Sequence, residues 1–380
     1  MQGTTAHTIS LMLGHPDPTT LLTPEFQAAV ERALAQPRAA LSYGLEQGNA
    51  ALIEYLTGKI KREQDISLSP AQMMIVAGST HAVDMIARLY TRPGGSVVVE
   101  APTYADTLHI FRDHGVELHG VAMDEQGMVV AEFEATLKRL STSANPARLF
   151  YTIPTFHNPT GTTLAESRRR EIVRLARQYG VTIVEDDVYR DLVYDAPAPA
   201  SFFALAGGID VLQIGSFSKT LAPGLRLGWL IGSTEAIQRF GDCGTTQMGG
   251  GASPLSAQIV AEYCAAGDWA RHVEGLRNLY RMRRETLLGA LDRYMPDGVT
   301  WTTPKGGFFV WVTLPAKVYG KEVKKRAVEL GIAVAAGEGY FINPADGAHH
   351  LRLTYSFAPP EDLETAAHIL GEVIRELDSE

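Results

Sequence analysis

Lys219 closes the tetrapeptide Ser216-Phe217-Ser218-Lys219, and Arg226 follows seven residues later in Pro223-Gly224-Leu225-Arg226-Leu227-Gly228-Trp229. The run before them, Val211-Leu212-Gln213-Ile214-Gly215, reads as a buried strand. A lysine at a strand end, among hydroxyls and glycines, is poorly placed for a solvated surface charge. An amine held in a desolvated, hydroxyl-lined pocket has its pKa lowered and becomes a nucleophile toward aldehydes. Arg226 adds a fixed positive charge to the same neighbourhood, and Ser216 with Arg226 suits a phosphate.

Other residue groups are ambiguous alone and informative together. Gly78-Ser79-Thr80-His81 follows one apolar run and opens a helical one; backbone amides there favour an anion, although a plain N-cap is the ordinary reading. Tyr104, in Glu100-Ala101-Pro102-Thr103-Tyr104, can stack on a flat heteroaromatic ring or serve as a rim tyrosine. Asn158, in Asn158-Pro159-Thr160-Gly161, can donate to a phenolate oxygen, and the same four residues are also turn chemistry. Glu185-Asp186-Asp187-Val188-Tyr189 places three carboxylates after the strand-like Val181-Thr182-Ile183-Val184. Burying them is costly without positive partners. A protonated pyridine nitrogen is such a partner for Asp186, with Tyr189 offering its hydroxyl nearby. A magnesium site is the competing reading, but no Walker-type loop and no second acidic cluster accompanies it. Arg352, flanked by Leu351 and Leu353, suits a bidentate anion such as an α-carboxylate, or a buried ion pair. An imine-forming lysine beside an anion clamp, with a partner for a ring nitrogen, describes a site for pyridoxal phosphate and for no metal.

The elements that must position these residues follow from periodicity. Strands are expected at Met73–Ala77, Ser96–Glu100, Leu118–Met123, Arg148–Ile153, Val181–Asp186, Val211–Ser216 and Leu227–Ile231. Helical patterns at His81–Tyr90, Tyr104–Asp113 and Glu166–Gln178 lie between them. This alternation predicts an α/β fold: a mostly parallel sheet sandwiched by helices, with ligands beyond the carboxyl ends of the strands. A long helix is expected from Trp269 to Tyr294. After Pro296 the texture changes to a small α+β module, with strands at 306–312 and 351–356 and helices at Lys321–Leu330 and Glu361–Leu377.

The chain has 380 residues, 45% of them hydrophobic, enough for a large core and a smaller second domain. Its net charge of −9 argues against a default nucleic-acid binder. Cys243 and Cys264 are its two cysteines, too few and too far apart for a disulfide framework or a metal motif. No apolar stretch approaches the roughly 20 residues that span a bilayer. Met1-Gln2-Gly3-Thr4-Thr5-Ala6-His7 has neither the basic start nor the apolar run of a signal peptide. A soluble, cytoplasmic protein is expected.

In their order and spacing, Asn158-Pro159-Thr160-Gly161, Asp186-x-x-Tyr189, Ser216-x-x-Lys219…Arg226 and Arg352 make the chain resemble the class I/II aminotransferases of the fold-type-I pyridoxal phosphate enzymes. The resemblance runs from Gly14-His15-Pro16-Asp17-Pro18 to Arg352-Leu353-Thr354-Tyr355-Ser356. Within that family the chain is most similar to the branch of 2-aminoadipate and broad-specificity aminotransferases and the aminotransferase-like domains of MocR-type regulators. The resemblance implies that Lys219 is the Schiff-base lysine and that Asp186 pairs with the pyridine nitrogen. It implies that Tyr189 and Asn158 hold the phenolic oxygen and that Tyr104 stacks on the ring. Ser79, Thr80, Ser216 and Arg226 then form the phosphate cup. Tyr43 reaches the phosphate of a neighbouring subunit, so a homodimer with shared active sites is expected. Arg352 clamps the substrate α-carboxylate, and the backbone of Gly14 lies near the substrate. Residues 1–44 are expected to form an N-terminal arm and part of the small domain, 45–295 the large cofactor-binding domain, and 296–380 the C-terminal small domain. His81 stands where many relatives carry glutamine, and Gly249-Gly250-Gly251 makes an unusually flexible loop before Ala252-Ser253-Pro254.

The implied reaction moves an amino group from an L-amino acid to a 2-oxo acid by a ping-pong mechanism, with Lys219 as the proton-transfer group. The same residues also serve elimination, replacement, decarboxylation or cyclisation. A MocR-like ligand sensor is a third reading; few residues precede the aminotransferase pattern, and the chain is acidic, which disfavours it. For a second substrate carboxylate, Arg38 is one candidate, although a surface charge is its more ordinary reading.

Overall fold

The computed structural model describes residues 8–380, so the reading of residues 1–7 as lacking a signal peptide lies outside the described residues. The strands in chain order are β1 (Ile9–Ser10), β2 (Met73–Val76), β3 (Ser96–Ala101), β4 (Glu117–Asp124), β5 (Gly127–Met128), β6 (Ala147–Thr152) and β7 (Thr182–Asp186). They continue with β8 (Val211–Ser216), β9 (Gly228–Ile231), β10 (Thr300–Trp301), β11 (Phe309–Thr313), β12 (Ile332–Ala333), β13 (Ala335–Ala336) and β14 (His350–Thr354). The seven strands expected between residues 73 and 231 all form, each within a residue of its expected ends.

Eight strands make one sheet in the order β2-β9-β8-β7-β6-β3-β4-β5. The pairings from β4 through β3, β6 and β7 to β8 are parallel. β9 runs antiparallel to both β8 and β2, and β5 folds back on β4, so the sheet is mixed at its margins. Both faces are covered, and strand alternation divides the core accordingly. Val97, Val99, Leu149, Tyr151, Val184, Leu212 and Ile214 pack into one apolar cluster. Val98, Phe150, Ile183 and Val211 point the other way into a second. Because the central strands are parallel, their carboxyl ends lie along one edge. Ala101, Thr152, Asp186 and Ser216 end there, which brings the segments carrying Tyr104, Asn158, Tyr189 and Lys219 together.

The helix Asp268–Tyr294 leads toward a second sheet, ordered β10-β11-β14-β13 and antiparallel throughout. β1 pairs in parallel with β12, so the segment after residue 8 joins this smaller unit. The unit reaches the large sheet at Gly161, whose φ of +70° and Cβ direction, 2.4 Å from the Phe309 carbonyl oxygen, admit glycine alone. No helix among the described residues is long and apolar enough to cross a membrane. Cys243 and Cys264 are both free.

The tightest packing in the large sheet is at the antiparallel pair Gly215–Trp229. A Cβ on Gly215 would lie 2.0 Å from the indole ring. Gly215→Ala is therefore expected to lower the urea midpoint by the equivalent of about 1–3 kcal/mol or more. Gly275→Ala, in the long helix with nothing within 4 Å of the new methyl, is expected to raise it by about 0.5–1 kcal/mol. Equal midpoints for the two variants would contradict this packing.

Candidate active site

A cavity of about 510 Å3 opens at the carboxyl edge of the large sheet and is closed on its other side by the smaller unit. That volume lies within the roughly 300–1,000 Å3 typical of small-molecule sites. Gly14, Ser79, Thr80, Tyr104, Asn158, Asp186, Tyr189, Lys219, Arg226 and Arg352 all line it. Ten of the residues proposed from sequence thus converge on one cavity.

Two do not. Ser216 is buried at the end of β8, where its Oγ accepts from the Ser218 amide at 3.0 Å. Ser218, two residues on, lines the cavity instead. Tyr43 lies outside its own chain's cavity, 93% exposed, with its ring against Gly249 of the triple-glycine loop. Arg38 is exposed on the helix Pro37–Leu41, away from the cavity. His81 turns from the cavity and accepts the Ala77 amide through Nδ1 at 3.2 Å.

The acidic triplet is resolved by strand geometry. At the end of β7 and in the residue that follows, Glu185 and Asp187 point to one face and Asp186 to the other. Glu185 accepts the Phe202 and Phe203 amides at 2.8 and 3.1 Å and lies 3.9 Å from Arg169. Asp187 pairs with Arg190. Asp186 receives the Tyr151 hydroxyl at 2.7 Å on Oδ2. Its Oδ1, buried at the cavity wall, has no partner among the described residues. Burial is the main cause that raises the Asp186 carboxyl to about 6, with Asp187 adding to it.

Lys219 follows β8 and donates from Nζ to the Gly14 carbonyl at 2.9 Å. Its stem is enclosed while its amine opens on the cavity. Burial first and then Arg352 bring the amine down to about 8; Asp186 opposes them, and Arg226 adds a lesser push in the same direction as Arg352. Arg352, on β14, donates to Asn158 Oδ1 at 3.0 Å and to the Met12 carbonyl at 2.6 Å. Its guanidinium lies over Phe309 and Tyr340, 4.4 and 5.1 Å from the ring centres. Spending Oδ1 on Arg352 leaves the Asn158 amide hydrogens directed elsewhere.

At the other end, Ser79 and Thr80 begin the helix Ser79–Tyr90, capped by Gly78 without a side-chain bond. Neither hydroxyl has a partner among the described residues. Gly78 has φ of +88°, and a Cβ there would sit 3.0 Å from the Arg226 guanidinium, so helix end and cation approach closely.

The segment bearing Asn158 is braced by residues that motif reasoning missed. Glu100 on β3 accepts from the Thr152 hydroxyl at 2.8 Å and the Ile153 amide at 2.9 Å, and meets His157 at 3.1 Å. Arg169, wholly buried, donates to the Pro154 and Leu164 carbonyls at 2.7 and 2.9 Å. Asp106, which accepts from the Tyr104 hydroxyl at 2.5 Å, also reaches the cavity. The Glu100 contacts join residues remote in sequence, and only the position of Glu100 at a strand end hinted at them.

The donor set fits pyridoxal phosphate: an orphaned buried carboxylate oxygen for a ring cation, a depressed amine for an aldehyde, and free hydroxyls at a helix N-terminus beside Arg226 for a phosphate. Among the described residues no cluster of His, Cys, Asp and Glu is arranged to hold a metal ion.

Comparison with known proteins agrees. The family pattern "Aminotransferase class I and II" matches residues 8–370. The chain is 34% identical over 373 residues to the aromatic-amino-acid aminotransferase 1 of Thermococcus litoralis, spanning 98% of this chain and 89% of that protein. It is 31% identical over 376 residues to the 2-aminoadipate transaminase of Thermus thermophilus, spanning 97% and 90%. The crystal structure of the multiple substrate aminotransferase from Thermococcus profundus matches with a TM-score of 0.93 at 32% identity, covering 99% of this chain and 93% of that one. The chain therefore belongs to the class I and II aminotransferases, near the aminoadipate and broad-specificity branch, and is a pyridoxal phosphate-dependent enzyme that moves amino groups between amino acids and 2-oxo acids by a ping-pong mechanism.

Proposed function

We propose that Lys219 anchors the cofactor and moves the substrate proton, that Asp186 pairs with the cofactor ring nitrogen, and that Arg352 binds the substrate α-carboxylate. The observation that carries this reading is the convergence of these three side chains on one cavity with complementary charges. Bound there, pyridoxal phosphate supplies the carbonyl that exchanges for an amino group and a ring that accepts the electron pair freed at Cα. Ser79, Thr80, Ser218 and Arg226 hold its phosphate, with Ser216 supporting Ser218 from behind. Asn158 and Tyr189 face its phenolic oxygen, and Tyr104 covers its ring.

Each role follows from the chemistry of the side chain. The planar guanidinium of Arg352 matches a carboxylate in two hydrogen bonds. Phe309 and Tyr340 fix its plane from its faces. An amine whose pKa is near 8 is unprotonated often enough to take the proton from Cα onto Nζ and strong enough to return it. Oδ1 of Asp186 offers an unsatisfied acceptor where a ring N–H gains most from a desolvated charge.

We further propose that the enzyme is a homodimer in which Tyr43 completes the partner's phosphate site. Tyr43 is fully presented to solvent, and Leu41, Leu45 and Met248 around it are also exposed. Such a patch is unusual on a monomer.

Four outcomes are expected. Lys219→Ala abolishes covalent cofactor attachment, read as loss of cofactor fixed by borohydride, and lowers turnover by at least roughly 10²–10⁴-fold. In the cofactor-free enzyme, modification of Lys219 by trinitrobenzenesulfonate rises through a midpoint near 8. Arg352→Gln removes a cation that disfavours the charged amine, so this midpoint moves up, and the KM for the amino acid rises; an unmoved midpoint contradicts the placement of Arg352 beside Lys219. Finally, mixing Lys219→Ala with Tyr43→Ala subunits restores about a quarter of wild-type turnover, as random pairing in a two-fold dimer requires. Turnover equal to the mean of the separate variants would exclude the shared site.

A further inference from the structure

The far side of Asp186 is occupied by a chain of hydroxyls with a defined direction. Tyr151 stands on β6, beside β7, wholly buried and edge-on to Phe111 at 6.0 Å. Its hydroxyl donates to Asp186 Oδ2 at 2.7 Å. Thr107, buried in the helix Ala105–Asp113, lies 3.1 Å behind that hydroxyl. An ionised carboxylate only accepts, and a phenol has a single proton. The Tyr151 proton is therefore committed to Asp186, and Thr107 must donate to Tyr151. Resting on the reading that Asp186 meets the ring nitrogen, we propose that Tyr151, oriented by Thr107, is a positioning residue that fixes the Asp186 carboxylate with Oδ1 toward the cofactor and holds it ionised.

The surroundings of Asp186 define what Tyr151 has to oppose. Burial and the Asp187 carboxylate disfavour its charge, whereas Tyr151, the Val188 amide and Lys219 favour it. Tyr104 and Tyr189 also face it, and proximity to Asp186 helps keep both phenols protonated. Tyr151 is the side chain that hydrogen-bonds to it. Burial, and then the Asp186 charge, hold the Tyr151 phenol far above its ordinary range, so it remains a donor at every working pH. In a low-dielectric interior, the Thr107 bond polarises the Tyr151 hydroxyl and strengthens the bond to Asp186.

The test uses the holoenzyme loaded with cofactor labelled with 15N at the ring nitrogen, whose NMR shift reports its protonation. Tyr151→Phe keeps the ring packed against Phe111 and removes the proton given to Asp186. Losing a hydrogen bond to a charged group is expected to lower the proton affinity of the ring nitrogen roughly 10- to 100-fold. The ring then deprotonates at lower pH, and kcat falls with little change in the KM for the amino acid. Thr107→Val, a substitution that leaves Tyr151 in place, shifts the titration in the same direction by less, and decides the matter if the first variant does not fold. Titration of both variants like the wild type overturns the positioning role. Asp186→Asn separates this failure from that of the underlying reading. If Asp186→Asn shifts the ring nitrogen and the other variants do not, Tyr151 alone is misassigned. If Asp186→Asn leaves it unchanged, the pairing of Asp186 with the ring is wrong.

Discussion

The end of β7 and the residue after it carry three consecutive carboxylates into the interior, and the site depends on how they are satisfied. Taking a carboxylate out of water costs several kcal/mol even after relaxation. Strand alternation splits the three between faces and so gives them different partners. Glu185 is met by two backbone amides, Gln213 and the more distant Arg169, and Asp187 is met by Arg190 and Gln213. Glu185 nevertheless remains raised to about 7, chiefly by burial. Asp186 has a phenol on one oxygen and, among the described residues, no partner on the other. At neutral pH a group near 6 is mostly ionised, so the structure holds a buried negative charge whose natural complement is a ligand cation.

The opposite charge is concentrated across the cavity. Lys219, Arg226 and Arg352 line one space, and mutual repulsion helps depress the amine of Lys219. Among the described residues neither arginine is paired with a carboxylate: Arg226 donates to the Pro223 carbonyl, and Arg352 to a carbonyl and to Asn158. Two fixed cations and one adjustable amine favour anions at two separated places. A phosphate at the helix N-terminus and a carboxylate at β14 meet that demand, with the amine left between them for chemistry. No general base is needed to depress this amine: burial chiefly, and then the charge of Arg352, lower the affinity of Lys219 for a proton.

Much of this was legible in the sequence because it is encoded locally. Parallel strands read as short apolar runs, and the residue after each run stands at the ligand edge. Lys219, Asn158, Tyr189 and Tyr104 could be placed by that rule alone. Ser216 could not be placed so finely: the turn after β8 puts Ser218 on the cavity wall, and the Ser216 hydroxyl accepts the Ser218 amide. Glu100, Arg169 and Tyr151 were beyond reach for a different reason. Each acts on residues of a neighbouring strand or loop, and their single-letter contexts look like ordinary core. Tyr151 in particular sits in the apolar run Leu149-Phe150-Tyr151, where only the pairing of β6 with β7 reveals a partner for its hydroxyl.

The segment from Ile9 to Asp17 adds a constraint that no single motif contains. It is tied along its length to three parts of the fold. β1 pairs with β12, and the Leu11 carbonyl accepts the Thr354 amide at 2.9 Å. The His15 carbonyl accepts the Ser356 hydroxyl at 2.6 Å, and Asp17 is bound by Arg283 and by the Tyr280 hydroxyl, the latter at 3.0 Å from its amide. Between these structural ties lie two of another kind, the Met12 carbonyl on Arg352 and the Gly14 carbonyl on Lys219. The segment is thus anchored at both ends by the fold and tied in the middle to two side chains of the cavity wall, so the position of the wall depends on the packing of the smaller unit.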